Sequence, residues 1–335
     1  MKILKYRAGI VGCGNIGSRI DKGPGRTPIY THAGAYSCHP KFQLITAADI
    51  NKEKLTNFAR KWKVKNIYTD FEEMLHNECL DILSICTWKN LHYEIVKKAV
   101  MNGVKMIFCE KPFTGNVNEA ENLVGLCKKK NVLLAVNYTR RYTKGHQKVK
   151  ELISDGKLGK IQTVNCLYTK GIINNGSHLM NLFNYFFGKT EWVSSVSLID
   201  RLEKKEDYDL DINLYFSEGF LVSIFCCDSK YYSIFEIDIL GTLGRIRITE
   251  SGYDIKWYKV KNNPVFKGYK ELDKVGTIIK SDMEDAMLNA VDNIIESYEK
   301  KQSLLCDGQD ALETLKIIDL AISSAKENGK RKYYI

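Results

Sequence analysis

The chain has 335 residues, of which 44% are hydrophobic and 27% are charged, and its formal net charge is +10. The composition is ordinary for a globular protein, and the length favours two domains because one hydrophobic core rarely grows past about 250 to 300 residues. The positive charge favours anionic small molecules. The interspersed Lys and Glu residues and the short basic runs argue against a nucleic-acid partner.

The cellular compartment is predicted from three features: membrane spans, a signal peptide and the pattern of cysteines. No apolar run approaches the roughly 20 residues of a membrane span, and Met1 to Arg7 is too short and polar for the apolar region of a signal peptide. The ten cysteines form no Cys-x-x-Cys pair and no regular spacing. We therefore expect a cytoplasmic protein with free thiols, no membrane partner and no metal site.

Residues 1–138 alternate between apolar strands and amphipathic helices. The predicted strands are Tyr6–Val11, Phe42–Ala48, Leu80–Cys86, Lys105–Cys109 and Val132–Val136. The predicted helices are Asn51–Trp62, Tyr93–Met101 with Gly103 as its stop, and a segment with the apolar stripe Ala120, Leu123, Val124 and Cys127. Strands separated by helices of this length indicate a parallel sheet with right-handed crossovers.

The pattern changes at about Thr139. After one helical stretch, most segments alternate apolar and polar residues between short turns, which predicts an open, mostly antiparallel sheet with helices on one face. The predicted strands are Ile161–Tyr168, Trp192–Ile199, Leu210–Phe216, Phe220–Cys227, Ser233–Leu240, Arg245–Thr249 and Asp254–Val260. The fold class is thus an α/β Rossmann domain over residues 1–138 and an α+β domain for substrate binding and oligomerisation over residues 139–335.

Two amphipathic helices are predicted to close the chain. Ser281 and Glu284 have the spacing of a capping box at the start of the first helix. Its apolar face is Met287, Ala290, Val291, Ile294, Ile295 and Tyr298. The second helix repeats such a stripe with Ala311, Leu315, Ile318, Ile322 and Ala325, and Gly329 ends it.

A glycine-rich loop directly follows the first strand and has the pattern Gly-x-Gly-x-x-Gly at Gly12, Gly14 and Gly17. The first glycine permits a tight turn, the second lets the backbone approach a pyrophosphate, and the third allows close packing of helix on strand. Asn15 and Ile16 lie within the loop and are predicted to contact the cofactor with the glycines. The loop therefore predicts a dinucleotide site.

Asp49 ends the second strand, where a carboxylate binds the adenosine ribose hydroxyls. It lies 32 residues past the last glycine, because residues 21–30 contain two glycines and two prolines that no helix tolerates. We interpret residues 21–30 as an insertion, either a plain surface loop or a lid over cofactor or substrate. The Asp49 carboxylate would repel a 2′-phosphate, and Ile50 and Asn51 supply no cation, so NAD is predicted in preference to NADP.

These features together resemble the glucose-fructose oxidoreductase / inositol dehydrogenase (Gfo/Idh/MocA) family of NAD(P)-dependent sugar and polyol oxidoreductases. The resemblance covers most of the chain, and its most specific piece is Cys109-Glu110-Lys111-Pro112. The other pieces are Ile10 to Gly14, Ala48-Asp49, Ile85-Cys86-Thr87 with His92, Asn137 to Tyr142, Gly176-Ser177-His178, and Gly241-Thr242 with Gly244. It implies a dehydrogenase or reductase that acts on CH–OH groups.

Two catalytic residues follow from the resemblance. Lys111 comes after a strand end, where an amine can hold the substrate hydroxyl and help take its proton; in the family this lysine touches substrate and cofactor, and its bond to the following proline is often cis. His178 opens a predicted helix, whose dipole favours a neutral imidazole that can accept a proton. Both are predicted to contact the substrate.

The chain departs from the family pattern at two positions near His178. The family usually has Asp four residues before this histidine and often Asp three residues after it, whereas this chain has Asn174 and Asn181. An amide can orient a hydroxyl but cannot take its proton. Asn174 is therefore a candidate catalytic and substrate-contacting residue, and proton transfer is expected to depend on His178 and Lys111.

Further contacts are expected around the same site. Thr87, Trp88, His92, Glu110 and Asn137 are candidate cofactor contacts, since they follow predicted strand ends or open a helix there. Trp88 either stacks near the nicotinamide or packs against the protein, and His92 is a helix cap or a wall of the cofactor site. Arg141 lies in the crossover to the second domain and is a candidate substrate contact.

The resemblance implies hydride transfer between NAD and a secondary alcohol or ketone of a sugar, polyol or nucleotide-linked sugar. The alternative is an NAD-binding protein without turnover, which the Asn174 replacement keeps open. A dimer or tetramer is expected, because Leu214, Phe216, Leu221 and Ile224 place apolar groups on both faces of adjacent strands in a sheet that has helices for one face only.

Overall fold

The computed structural model describes residues 5–197 and 207–334. The chain divides into two compact units, one made of Met1–Tyr142 and Glu284–Leu312 and the other of Thr143–Met283 and Glu313–Ile335. A late segment therefore belongs to the first unit together with the N-terminal half. The domain boundary at residue 138 stays a prediction.

A parallel six-stranded sheet forms the centre of the first unit. Its strands are β1 (Tyr6–Val11), β2 (Phe42–Ala48), β3 (Asn66–Tyr68), β4 (Ile82–Ile85), β5 (Met106–Cys109) and β6 (Leu133–Val136). They lie in the order β3-β2-β1-β4-β5-β6, and every pair runs parallel. This is the order of a doubly wound dinucleotide-binding sheet, in which ligands bind where the strand order reverses, here between β1 and β4.

Five helices connect these strands, and a late sixth helix belongs to the same unit. The connecting helices are α1 (His32–Cys38), α2 (Lys52–Trp62), α3 (Phe71–Asn77), α4 (Lys89–Met101) and α5 (Val117–Lys130), and the late one is α8 (Ala286–Lys300). Four of them begin at a side chain that accepts a backbone N–H, namely Thr31, Asn51, Asp70 and Asn116. Gly103 follows α4 with φ +81°, the left-handed conformation predicted for its end.

The second unit is built on a larger mixed sheet. Its strands are β7 (Ile161–Tyr168), β8 (Thr190–Val196), β9 (Asp211–Phe216), β10 (Phe220–Cys226), β11 (Phe235–Gly241), β12 (Gly244–Thr249), β13 (Asp254–Asn262), β14 (Lys270–Leu272), β15 (Thr277–Ile279) and β16 (Lys332–Tyr333). Among these described strands β7 and β10 pair in parallel and every other pair is antiparallel. The mostly antiparallel sheet predicted from the sequence is confirmed.

Three helices supply the core of the second unit on one face of this sheet. They are α6 (Lys144–Ser154), α7 (Ser177–Phe187) and α9 (Gly308–Lys326), whose first residues belong to the other unit. Leu214, Phe216 and Ile224 are all buried in this core, whereas Leu221 is half-buried. Strand alternation thus puts three of the four residues on the face that the helices cover and Leu221 on the opposite face, so the four do place apolar groups on both faces, but unequally. The opposite face does expose Leu167 and Phe225.

Most predicted elements are present, and the differences have local causes. The strand predicted over Trp192–Ile199 runs over Thr190–Val196, and residues 198 and 199 lie outside the described residues. The capping box is wrong, since α8 begins at Ala286 after Asp285 and the Ser281 hydroxyl donates to the Gly252 carbonyl instead. Over the described ranges, no helix combines the length and apolarity needed to cross a membrane.

Candidate active site

The predicted cofactor residues of the first unit meet at one edge of its sheet. Gly12 follows β1, Asp49 follows β2, Thr87 lies two residues after β4, Glu110 follows β5 and Asn137 follows β6. The strands are parallel, so their carboxyl ends lie on the same side. The fold therefore brings together residues that are far apart in sequence, at the edge where such sheets bind dinucleotides.

The three glycines of the loop differ in what surrounds them. Gly12 has φ +96°, and a Cβ on it would lie 2.6 Å from the Cys86 carbonyl. A Cβ on Gly17 would lie 2.2 Å from the carbonyl oxygen of Gly12. A Cβ on Gly14 would meet nothing within 4 Å, so the space beside it is open to a ligand. This is the division of roles that a dinucleotide loop requires.

The second half of the loop belongs to a short helical turn, Asn15–Arg19, as the shortened first helix predicts. The insertion after it is tied down at both ends. The buried Asp21 carboxylate accepts the backbone amides of Tyr30 and Thr31 and the Thr31 hydroxyl, and the Lys61 ammonium donates to the carbonyls of Ser18 and Arg19. Residues 24–28 between these anchors are exposed, and their role as a lid stays a prediction.

Asp49 lies beside the glycine loop. Its Oδ2 accepts the backbone amide of Cys13 at 2.8 Å, and its Oδ1 accepts the backbone amide of Asn51 at 2.8 Å. The next side chain, Ile50, is 89% exposed and carries no charge. A carboxylate with a remaining lone pair on each oxygen fits a ribose diol and repels a 2′-phosphate.

Glu110 is held by two side chains. His32 Nε2 lies 2.9 Å from Glu110 Oε1, and Asn137 Nδ2 donates to the same oxygen at 2.6 Å. Burial alone would raise the pKa of Glu110, but the hydrogen bond from His32 and the nearby charges hold it below its usual value. Glu110 is therefore ionised beside Lys111. His32 was not predicted as a site residue.

Lys111 is half-buried and directly follows Glu110, and its bond to Pro112 is cis, as the resemblance implies. The same turn is fastened by His92, which is fully buried. His92 Nδ1 lies 3.0 Å from the Pro112 carbonyl oxygen and His92 Nε2 lies 3.0 Å from the Thr87 carbonyl oxygen. His92 thus joins the turns after β4 and β5.

The turn after β4 differs from the prediction in one respect. α4 begins at Lys89, with Trp88 at its N-cap, so His92 lies inside the helix and does not open it. Trp88 is 84% exposed, which argues against the interpretation that it packs against the protein. The indole is therefore accessible to a ligand.

Arg141 has a structural role within the first unit. Its guanidinium is buried and donates to the Leu305 carbonyl and to Asp310 Oδ2, the latter at 3.0 Å. These contacts fasten the helical turn Thr139–Tyr142 to the late segment of the same unit. A contact of Arg141 with substrate stays a prediction.

His178 and Asn174 belong to the second unit. The helical backbone is continuous from Gly171 through Gly176 into α7, so His178 lies well inside a helical segment. His178 is the second residue of α7, as predicted, but the preceding turn leaves α7 without a free N-terminus, and the effect of the helix dipole on His178 stays a prediction. His178 is buried, and Asn174 is exposed.

The two asparagines at the family's acidic positions have different surroundings. The Asn181 amide is buried and donates to the Thr314 hydroxyl at 3.0 Å. The backbone amide of Asn174 donates to Asp207 Oδ2 at 2.8 Å, and Ile173 N donates to Asp207 Oδ1 at 2.7 Å. Burial raises the pKa of Asp207. The Asp207 carboxyl group, which the sequence did not single out, therefore lies against the segment that carries Asn174 where the family usually has Asp.

Within the described ranges, no group of three or more His, Cys, Asp and Glu side chains is arranged to hold a metal ion. All ten cysteines are free thiols, as expected.

Comparison with known proteins places this geometry in a family. Residues 6–138 match a model of the oxidoreductase family with an NAD-binding Rossmann fold, and residues 171–333 match the C-terminal alpha/beta domain of the same oxidoreductase family. Both belong to the Gfo/Idh/MocA group, so the resemblance and the fold class predicted from the sequence are confirmed.

Individual relatives have low sequence identity to this chain. The scyllo-inositol 2-dehydrogenase (NADP(+)) of Bacillus subtilis is 25% identical over 340 residues, which cover 89% of this chain and 92% of that protein. The myo-inositol 2-dehydrogenase of Thermotoga maritima is 27% identical over 154 residues, 46% of this chain and 42% of the relative. Several of the curated relatives are matched over only about half of their own length or less.

Among solved structures, the chain is similar to the WlbA dehydrogenase of Bordetella pertussis in complex with NADH and UDP-GlcNAcA. The TM-score is 0.81 at 21% sequence identity, and the match covers 100% of this chain and 99% of that one. At this identity the likeness shows a shared fold.

Proposed function

Because the chain belongs to the Gfo/Idh/MocA oxidoreductase family, we propose that it is an NAD-dependent dehydrogenase or reductase. It transfers hydride between nicotinamide and a secondary alcohol or ketone of a sugar, polyol or nucleotide-linked sugar. The observation that carries this proposal is the convergence of Gly12, Asp49, Thr87, Glu110 and Asn137 at one sheet edge, with Lys111 next to it. Oxidation of an alcohol needs a hydride acceptor and a base, and this edge offers a place for both.

The cofactor is NAD. The open space beside Gly14 and the close packing of Gly17 fit a pyrophosphate against the loop. The Asp49 carboxylate binds the adenosine ribose and disfavours a 2′-phosphate, and Asn15 and Ile16 contact the pyrophosphate with their backbone. Bound NAD supplies the hydride acceptor, and Thr87, Trp88 and Asn137 lie along the edge where the nicotinamide half would lie.

The proton is handled by this chain's side chains. In its neutral form Lys111 holds the substrate hydroxyl and helps to remove its proton, and the ionised Glu110 beside it stabilises the ammonium that results. His178 is the second proton-handling group, as family membership implies, and Asn174 orients the substrate. Arg141 is a further candidate contact with substrate.

The substrates named for the relatives indicate which substrate class to test first. Two curated relatives are inositol dehydrogenases, and one solved relative was crystallised with a nucleotide-linked amino sugar acid. We propose a nucleotide-linked sugar as the first candidate, because Asn174 at the family's acidic position is similar to some members that act on nucleotide-linked amino sugars. The net charge of +10 favours such an anionic substrate.

A thermal-shift panel in the presence of NADH tests this proposal. A ligand that binds only the folded state must raise the melting temperature, and we expect a rise with UDP-linked sugars and a smaller one with free inositols. Compounds that raise it are then assayed for turnover by NADH absorbance. Binding of NAD without turnover on any stabilising compound would overturn the enzymatic proposal in favour of a ligand-binding protein.

We also propose a cytoplasmic homo-oligomer, a dimer or tetramer. Ten free thiols favour a reducing compartment. The face of the second sheet that carries Leu167 and Phe225 offers partly exposed apolar surface for a symmetric contact. Light scattering at micromolar concentration that gives a mass of 38.3 kDa would contradict the oligomer.

A further inference from the structure

A chain of buried polar side chains leads from α1 to Glu110. We call it the Glu110 network, and its members are Tyr36, Ser84, His32, Glu110 and Asn137. The Tyr36 hydroxyl lies 2.8 Å from Ser84 Oγ, and the same oxygen lies 2.8 Å from His32 Nδ1. His32 Nε2 then reaches Glu110 Oε1 at 2.9 Å. Tyr36, Ser84 and His32 are completely buried.

The direction of these hydrogen bonds follows from the number of protons available. An ionised Glu110 can only accept, so His32 donates through Nε2. In a neutral imidazole the other ring nitrogen accepts the Ser84 hydroxyl, and Ser84 Oγ in turn accepts the Tyr36 hydroxyl, whose pKa burial raises well above its usual value. In this arrangement every buried donor has an acceptor, and all the bonds point toward Glu110.

The insertion keeps the first member of this chain in place. Thr31 caps α1 by accepting the Gly34 amide, and Asp21 holds both the amide and the hydroxyl of Thr31. His32 is the next residue, and Tyr36 lies one helical turn later on the same face. The anchors of residues 21–30 therefore determine where His32 meets Glu110.

We propose that His32 is a positioning residue for the reaction, which holds the Glu110 carboxyl group in place beside Lys111. The proposal rests on the role of Lys111 in the proposed function. His32 itself need not touch cofactor or substrate. A buried hydrogen-bond chain of this kind has a single arrangement that satisfies all its members, which makes it a suitable support for a catalytic turn.

Several groups besides His32 act on Glu110. Lys111 adjoins it in the chain and lowers its pKa, and Asn137 on the β6 side donates to it. Burial raises the pKa values of the thiols of Cys86 after β4 and Cys109 on β5, and the nearby Glu110 charge raises them further. The Glu110 charge also acts to raise the pKa of His92 on α4, although burial lowers it overall. Among these neighbours, the His32 hydrogen bond is the largest influence that holds Glu110 ionised.

Three variants separate positioning from simple stability. His32→Leu removes the donor to Glu110, whereas His32→Gln puts an amide N–H near the position of Nε2. Tyr36→Phe is the matched control, because it removes a buried hydroxyl from the far end of the same network and leaves the His32–Glu110 contact in place. In His32→Leu we expect kcat at pH 7 to fall at least about tenfold while the KM for NAD changes less than about threefold.

The pH profile carries the decisive readout. In His32→Leu the acid limb of kcat/KM should move up by about one pH unit or more, since buried Glu110 then protonates more readily. His32→Gln should recover most of the activity, and Tyr36→Phe should keep the profile of the wild type. An unmoved acid limb in His32→Leu, or a His32→Gln variant as impaired as His32→Leu, would overturn the proposal.

A second measurement needs no substrate. The folded pKa of Glu110 is lowered, so its ionisation contributes stability above its unfolded pKa of about 4.3, and that contribution is lost as pH falls. The difference in Tm between wild type and His32→Leu should therefore be larger at pH 6 than at pH 3, which lie on either side of that unfolded pKa, and independent of pH in a Glu110→Gln background. A pH-independent difference in both backgrounds overturns the inference. Failure of the proposed function is read separately, from turnover that survives Lys111→Ala.

Discussion

Asp49 Oδ2 accepts the backbone amide of Cys13 at 2.8 Å, which joins the end of β2 to the glycine loop. The residue proposed to bind the ribose therefore also holds the loop that binds the pyrophosphate. Cofactor choice and loop geometry are linked through one carboxylate, and its variants separate the two effects.

NAD(H) should bind at least about tenfold more tightly than NADP(H), which corresponds to about 1.4 kcal/mol. Asp49→Ala should narrow this difference, because it weakens NAD binding and relieves repulsion of the 2′-phosphate. Asp49→Asn is the matched variant, since its amide oxygen can still accept one backbone amide while the charge is gone. Calorimetric titration measures the affinities of each protein for NAD, NADH, NADP and NADPH. A wild type that binds NAD(H) and NADP(H) equally contradicts the assignment of NAD as the cofactor.

The glycine loop offers a pair of substitutions with opposite expected effects. Gly14→Ala adds a methyl group into open space, so the protein should fold with a Tm close to that of the wild type and should lose NAD affinity by about tenfold or more. Gly17→Ala would place a methyl group 2.2 Å from the Gly12 carbonyl oxygen, so its Tm should fall by more than about 5 °C. Thermal unfolding and calorimetric titration check both, and equal effects at the two positions would disagree with the geometry.

Much of this architecture is readable from the sequence, for a physical reason. β1, β2 and β7 have the bounds that their apolar runs predict, because each run is bordered by a turn or a loop. β3 and α3 were not predicted, since Asn66–Tyr68 is too short to show a period and its side chains are largely exposed.

The missed site residues depend on contacts between distant positions. His32 meets Glu110 across 78 positions and Asp207 meets Asn174 across 33, and no local pattern marks either pair. His32 is also displaced from the glycine loop by the insertion, which hides its connection with the site.

Lys111→Ala should lower turnover by about a hundredfold or more while the affinity for NAD changes less than about threefold, since general acid–base assistance is worth about 10² to 10⁴. Lys105→Ala is the control, because Lys105 is an exposed lysine at the opposite end of the same strand. His178→Ala should also be slow. Turnover of Lys111→Ala equal to that of the control, measured on the substrate found by the panel, would reject the assigned role.

Acid should destabilise the protein partly through His92. Burial lowers the pKa of His92 despite the three carbonyl oxygens around its ring, so the folded state resists its protonation. Above the unfolded pKa of about 6.5, the lowered pKa of folded His92 does not change the free energy of unfolding. As pH falls below that value, the unfolded chain takes up a proton that the folded state does not, and the free energy of unfolding decreases. His92→Gln should reduce the fall in Tm between pH 7 and pH 5, and the exposed His76→Gln should not. Equal falls in wild type and His92→Gln would contradict this.

Asn174→Asp restores an acid at the family's usual position, yet we expect no gain in rate. The backbone of Asn174 already contacts the Asp207 carboxylate, whose pKa burial raises. A new carboxylate at residue 174 adds a second negative charge near Asp207, and like charges raise each other's pKa values. The Asn174→Asp variant should therefore shift the acid limb of the kcat/KM profile to higher pH without exceeding the wild-type rate. Asn174→Ala should lower turnover less than Lys111→Ala does, because an amide only orients the substrate. Asp207→Asn in the Asn174→Asp background should remove the upward shift. A faster Asn174→Asp enzyme with an unshifted pH profile of kcat/KM would contradict this expectation, because it would show that the reaction benefits from a base at residue 174 that asparagine cannot supply.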